Sequence, residues 1–302
     1  MIRLLTSRLV PAGWKQRVFY TNPELLQYLS NRYLADPNEE IARKFTSIVS
    51  TVRVGGTYKL TGWNRLDETN AMVARNCKEF DQVNLLDVGA SDGIVTLQLV
   101  DQLSSELSVC VNATMFDLYT QITRCGPRWF CEYRSESGSP ILFRLGPLIT
   151  KIDDHKSGNR IRTFGVNTYR RARVFFKGIF GTNSENISLV SPKVHKSDRV
   201  AFTTHSVLDS NPNWHSKFNV VRASNILNRS YFSDEQLQIA IGNLVDCLMP
   251  DGILVVSRNH EECNGAPDNG SVWRKTGHRT LLRIDDNRDG SYLKNHIDQW
   301  FR

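Results

Sequence analysis

The stretch from Asn84 to Leu103 constrains this 302-residue chain more than any other. Asn84-Leu85-Leu86-Asp87-Val88 reads as an apolar strand, the glycine loop Gly89-Ala90-Ser91-Asp92-Gly93 follows at once, and the pattern from Ile94 to Leu103 predicts a helix. A strand that turns through glycines into a helix is the ligand-binding end of an open parallel α/β sheet. The glycines let backbone approach a ligand with no Cβ in the way, and Asp87 places a carboxylate at the strand tip. The spacing is not that of a dinucleotide fingerprint, since Ser91 stands where the second glycine belongs and Gly93 follows two residues later. No Gly-Lys-Ser/Thr follows either, which excludes a Walker loop.

The pattern Asp87-x-Gly89-x-Ser91-x-Gly93 resembles the first motif of the class I S-adenosylmethionine-dependent methyltransferases, an acidic residue followed by Gly, Gly/Ser and Gly at alternate positions. Landmarks of the same kind follow in order. Ser108 to Ala113 alternates and ends in Phe116-Asp117-Leu118, a second strand with an acid at its tip. The resemblance implies that Asp117 binds the two ribose hydroxyls; a carboxylate accepts two charge-assisted bonds at once. The competing reading is a solvated turn residue. Arg199 to Thr204 is a third strand, and the resemblance places the adenine contact just after it, where Ser206 stands in place of an acid. Ser206 with the backbone of Val207, or Asp209 three residues on, are the candidates.

Phe218 to Ala223 is the fourth strand, followed by Ser233-Asp234-Glu235-Gln236, a capping box, and a helix with Leu237, Ala240, Ile241, Leu244, Val245 and Leu248 on one face. Met249-Pro250-Asp251-Gly252 reads as a turn before a fifth strand, Ile253 to Val256. The resemblance thus covers residues 84–118 and 199–258. It implies a Rossmann-like α/β fold: a seven-stranded, mostly parallel sheet with helices on both faces, binding S-adenosylmethionine. Ser271 to Lys275 and Arg279 to Ile284 read as a closing antiparallel hairpin, and Tyr292 to Phe301 as a terminal helix.

Between the second and third strands lie residues 120–199, too many for a structureless loop in a compact domain. Trp129 to Arg134 and Ile141 to Leu145 flank a turn and predict a hairpin, Ile161 to Phe164 another strand, and Asn167 caps an expected helix over 168–180. The insertion therefore reads as a β-rich subdomain. It holds fifteen Lys and Arg against six Asp and Glu, or +9, in a chain whose total is +7. Basicity is local, and a local positive field favours anionic partners. The expected acceptor is a small molecule or protein side chain carrying negative charge; nucleic acid is the weaker candidate, since no RNA-binding signature is present. The competing reading is a solvated arginine face.

Residues 1–80 read as an N-terminal helical region, with helices over 22–34, 37–49 and 66–80, and residues 81–302 as the methyltransferase domain carrying the insertion. The first nineteen residues hold Arg3, Arg8, Lys15 and Arg17 and no acid, expected to form a basic arm rather than a transit peptide, given Pro11 and the lack of a serine tract. No apolar run reaches membrane-spanning length. Six scattered cysteines lack metal spacing and point to a reducing, cytoplasmic setting, with no metal or disulfide framework expected.

For chemistry, the strand ends facing the transferred methyl group are those after the fourth and fifth strands, which nominates Asn225, Asn228, Arg229, Tyr231, Arg258 and His260. Asn225, Arg229 and His260 are the catalytic candidates: an orienting amide, an anion clamp and a base, the last competing with an ordinary loop histidine. The subdomain position, with Asn225 and the pair Tyr231-Phe232 after the fourth strand, is loosely similar to chemotaxis-receptor glutamate methyltransferases. A non-catalytic module that keeps the cofactor fold, and an RNA-binding methyltransferase, remain the alternatives.

Overall fold

The computed structural model describes residues 23–54, 57–59, 61–146, 148–152, 183–259 and 268–302, together with residues 167, 169, 171 and 174. In chain order it contains α1 (Glu24–Ala35), α2 (Glu39–Val49), β1 (Arg53–Val54), β2 (Thr57–Tyr58), α3 (Asp67–Asn76), β3 (Gln82–Val88), α4 (Ile94–Leu107) and β4 (Cys110–Asp117). Next come β5 (Gln121–Cys125), β6 (Phe130–Arg134), β7 (Pro140–Leu145), β8 (Leu148–Lys151), β9 (Ser184–Ser188), α5 (Pro192–His195) and β10 (Val200–Thr204). The chain closes with β11 (Phe218–Ser224), α6 (Asp234–Cys247), β12 (Leu248–Asn259), β13 (Asp268–Lys275), β14 (Leu281–Asn287) and α7 (Lys294–Trp300). The expected basic arm, the strand at 161–164, most of the helix over 168–180 and His260 lie outside the described residues; Asn167, Tyr169, Arg171 and Val174 are helical.

The chain forms two compact units: the described parts of 1–60 with Gln121–Pro192, and Thr61–Thr120 with Lys193–Arg302. The sequence reading drew its boundaries at 80/81 and around 120–199; contacts draw them at 60/61, 120/121 and 192/193, grouping α1 and α2 with the inserted strands. In that first unit β8-β7-β6-β5-β9 make an antiparallel sheet. Its alternation places Arg144, Cys131 and Tyr133 on one face and Glu132, Phe143 and Cys125 on the other, since facing partners share a side. Tyr169 donates to the buried Glu132 carboxylate at 2.9 Å, and Arg134 pairs with the same group.

The second unit is an α/β sheet of seven strands in the order β10-β4-β3-β11-β12-β13-β14. The first five run parallel, and β13 and β14 follow antiparallel, each to its predecessor. This is the Rossmann-like, mostly parallel architecture expected from the sequence. Leu86, Val88, Val221, Ala223, Leu254 and Val256 share a core with Leu237, Ile241 and Leu244 of α6 and Ile297 of α7. Strand alternation turns Asp87 and Arg222 to the other face, where α3 and α4 pack. The capping box opens α6 with both of its bonds, between Ser233 and Gln236.

One local departure from the sequence reading has a physical cause. Residues 249–252 are not a free turn: β12 begins at Leu248, and Asp251 (φ +61°) sits in an irregularity where the β11 register shifts. Between β10 and β11 lies a single 3-10 turn, Pro212–Trp214. Proline and asparagine there disfavour a longer helix, and Trp214 packs on Phe116 with ring centroids 5.4 Å apart. No helix of the described residues is long and apolar enough to cross a membrane.

Candidate functional site

The glycine loop sits between the tip of β3 and the start of α4, and three of its residues take left-handed backbone: Gly89 (φ +68°), Ser91 (φ +58°) and Gly93 (φ +80°). Both glycines also serve close packing. A Cβ on Gly89 would lie 3.0 Å from the Ile226 side chain, and one on Gly93 would overlap Met115 Sδ. Ser91, without the freedom of glycine, is held by its backbone N–H donating to Asp117 Oδ2 at 2.9 Å. Its hydroxyl is buried with no hydrogen-bond partner among the described residues. Asp92, fully buried, accepts from Thr61 Oγ1 and from Ile94 N at the start of α4.

Asp117 ends β4 beside this loop, as the sequence reading placed it. Its second oxygen accepts from Tyr119 N at 3.1 Å. Past β10, Ser206 Oγ accepts from Leu208 N at 3.2 Å, and Asp209 N donates to the Ser206 carbonyl. Val207 is buried and its carbonyl accepts from Asn243. The space behind these residues, lined by Phe116, His205, Val207 and Trp214, is about 10 Å³, room for one water and not for a purine.

Asp87 is placed differently from a surface ligand. It is 3% exposed, Arg222 Nε and Nη2 donate to its two oxygens at 2.9 and 2.6 Å, and Thr96 Oγ1 donates to the second. Arg222, 1% exposed, passes its third nitrogen to Asn70 Oδ1 at 2.6 Å. Asp87 and Arg222 are direct neighbours in the register of β3 and β11. Arg222 was missed in the sequence; an arginine inside the mostly apolar run Phe218 to Ala223 is the signal that it needs a buried partner.

At the ends of β11 and β12, Asn225 (φ +64°) and Asn259 exchange side-chain bonds: Asn225 Nδ2 to Asn259 Oδ1 at 2.8 Å, and Asn259 N to Asn225 Oδ1 at 2.8 Å. Arg229 is forked onto Asp234 at 3.0 and 3.2 Å and reaches His296 Nε2 at 2.7 Å. Asn228 closes a turn by accepting from Ser230 N. Arg258 lies over the ring of Tyr292, 5.3 Å from its centroid, and the Tyr292 hydroxyl donates to the Leu227 carbonyl. Burial pushes the Tyr292 phenol above its ordinary value, against the pull of Arg258 and Arg229. Tyr292 and His296 were missed in the sequence because they arrive from the last thirty residues; only the fold brings them to Arg229 and Arg258.

Three buried cysteines are poor nucleophiles: burial pushes the thiols of Cys77 and Cys247 up to about 12 and Cys131 up to about 11. No cluster able to hold a metal ion occurs among the described residues. A cavity of about 370 Å³ is lined by Gln238, Ile239, Gly242, Arg279 and Trp300 among others, and by no residue of the glycine loop or of the strand tips.

No protein-family model matches the chain, and no curated protein does. Among solved structures, it is similar to the CMeT domain of the citrinin polyketide synthase (16% identity, 76% of this chain and 42% of that chain, TM-score 0.35). It is also similar to the cyclase SpnF (15% identity, 83% and 65%, TM-score 0.34). A third is the Haemonchus contortus phosphoethanolamine N-methyltransferase 1, in complex with phosphoethanolamine and S-adenosylhomocysteine (11% identity, 80% and 33%, TM-score 0.32). The chain thus spans less than two thirds of the length of each. Likeness at this level carries no argument for activity. The α/β assignment rests on the strand order and the glycine loop themselves.

Proposed function

We propose that the chain binds S-adenosylmethionine over the carboxyl ends of β3, β4 and β10 and transfers its methyl group to an anionic acceptor, a small molecule or a protein side chain. The observation that carries this reading is the left-handed loop Gly89-Ser91-Gly93 at the start of α4, bonded through Ser91 N to the Asp117 carboxylate on the neighbouring strand tip. One feature of the loop fits such a ligand: the buried Ser91 hydroxyl has no bonding partner among the described residues. Gly89, Ser91 and Gly93 would carry the aminoacyl part, Asp117 the ribose hydroxyls, and Ser206, Val207 and Asp209 the adenine edge, with Asp87 beneath the loop.

The bound cofactor supplies an electrophilic methyl group on a sulfonium. The chain's own task is to align the acceptor in line with that methyl and to exclude water. Arg229 and Arg258, flanking Tyr292, favour an acceptor bearing a carboxylate or phosphate. A carboxylate attacks without a base, so His260 has a proton to remove only for a neutral nucleophile. Asn225, bonded to Asn259, would orient the acceptor through the β11–β12 junction. One observation favours a second reading, a non-catalytic cofactor-binding module: the Asn225 amide and the Arg229 guanidinium are already occupied by protein partners.

Calorimetric titration with S-adenosylmethionine and S-adenosylhomocysteine, with NADH as control, tests the first half. Dissociation constants of about 1 µM for the first two and no heat with NADH are expected. A folded sample that binds neither overturns the reading. Release of S-adenosylhomocysteine in the presence of carboxylate acceptors separates the enzyme from the silent module.

A further inference from the structure

The acid of the glycine-loop motif invites a direct ligand contact, because it stands at the strand tip beside the loop. Its surroundings argue otherwise. An ionised carboxylate offers about four lone-pair positions. Three of those on Asp87 are taken, two by the Arg222 fork and one by Thr96, in a side chain that is 3% exposed. The charge is cancelled as well, since the fork is bidentate and the guanidinium is itself buried, its third nitrogen donating to Asn70. A ligand ammonium approaching from the loop would meet a neutral pair, and displacing Arg222 would leave a buried cation unpartnered.

The four residues belong to four elements: Asp87 to β3, Arg222 to β11, Asn70 to α3 and Thr96 to α4. The network therefore ties the strand that enters the loop to the helix that leaves it, and both to the neighbouring strand. Gly89 N and Ala90 N donate to the Phe116 carbonyl at 2.9 and 3.2 Å, and Ser91 N to Asp117, so the loop is clamped on its β4 side as well. Resting on the proposed cofactor reading, we infer that Asp87 is a positioning residue: it acts through Arg222 and Thr96 to set the loop, and the ammonium group of the bound aminoacyl ligand is recognised without it.

The test compares S-adenosylhomocysteine with its analogue in which hydrogen replaces the α-amino group, by calorimetry on wild type, Asp87→Asn, and Asp87→Asn/Arg222→Met. The double variant removes both charges and guards against a single variant that does not fold. Because both ligands are measured on the same protein, their affinity ratio is independent of the folded fraction. The expected result is a ratio unchanged within about twofold across the three proteins, while Asp87→Asn, with unaltered circular dichroism, loses about fivefold or more for both ligands alike. A ratio that collapses towards one in the variants means that Asp87 meets the ammonium and overturns the inference. Unchanged affinities for both ligands in folded Asp87→Asn overturn it too, by reducing the network to a purely structural role. Wild type that binds neither ligand is a distinguishable failure, which removes the cofactor reading itself and this inference with it.

Discussion

Replacing Glu24 by Gln should loosen the antiparallel unit by an amount the geometry allows to be bounded. The carboxylate, 10% exposed, meets Arg144 Nη1 at 2.9 Å, Arg128 Nε at 3.1 Å and Arg124 Nη1 at 3.2 Å. These contributions are unequal. Arg128 is 72% exposed, and solvent screens its pair to a few tenths of a kcal/mol. Arg124 keeps Glu185 at 2.5 Å. Arg144, 10% exposed, retains the Gly146 carbonyl, the face of Trp129 and the Tyr133 hydroxyl, none of which carries a counter-charge. The loss is thus mainly one buried guanidinium left without its counter-charge, a change that costs about 3–5 kcal/mol when nothing replaces the partner. The remaining amide oxygen of Gln still accepts a hydrogen bond, which brings the expectation to about 2–3 kcal/mol.

Amide hydrogen exchange in α1 and β7 reads this loss as a lower opening free energy, and urea unfolding gives an independent value. Glu24→Gln/Arg144→Met should return to within about 1 kcal/mol of wild type, because both charges are then gone. The pH dependence follows with a definite sign. Burial raises the Glu24 carboxyl, but Arg128 and Arg144 outweigh it and hold it below its usual 4.5. The folded chain therefore binds fewer protons than the unfolded chain in this range, so the stabilisation is complete above about pH 4.5 and fades as pH falls through the depressed folded value. Glu24→Gln should flatten that acid limb. A loss under about 1 kcal/mol, or a double variant no better than the single, would refute the argument.

Two further outcomes concern the second unit. Gly93→Ala forces a left-handed residue with a Cβ onto Met115; about 1–2 kcal/mol is expected from the backbone alone, with loss of ligand binding, and an unchanged melt would show that the loop relaxes freely. Ser233→Ala removes the hydroxyl that accepts from Gln236 N at the start of α6, and thermal unfolding should report about 1 kcal/mol; no change would mean that water replaces the cap.

Much of the parallel sheet was legible because its signals are local. The run into Gly89-x-Ser91-x-Gly93, the strand ending at Asp117 and the Ser233 capping box each combine periodicity with a residue that only one backbone conformation accepts, and all three stand where the sequence reading put them. The candidate site was legible as positions and not as partners. Asn225 and Arg229 were read as side chains available at strand ends, yet Asn259 and Asp234 engage them. The stretch 249–252 was read as a turn from its proline and glycine, whereas pairing with β11 draws it into β12.

The amino-acid sequence by itself determined the strand–loop–helix unit, the succession of strands and helices, and the local excess of positive charge in residues 120–199. Those follow from spacing and composition, which act over a few residues. Tertiary structure alone decided that Arg222 neutralises Asp87, that Tyr292 and His296 join Arg258 and Arg229, and that α1 places Glu24 among the arginines of the inserted sheet. The partners in these pairs are 34 to 135 residues apart. A buried charge must find its counter-charge wherever packing brings one within reach, and no local pattern in the chain names that partner.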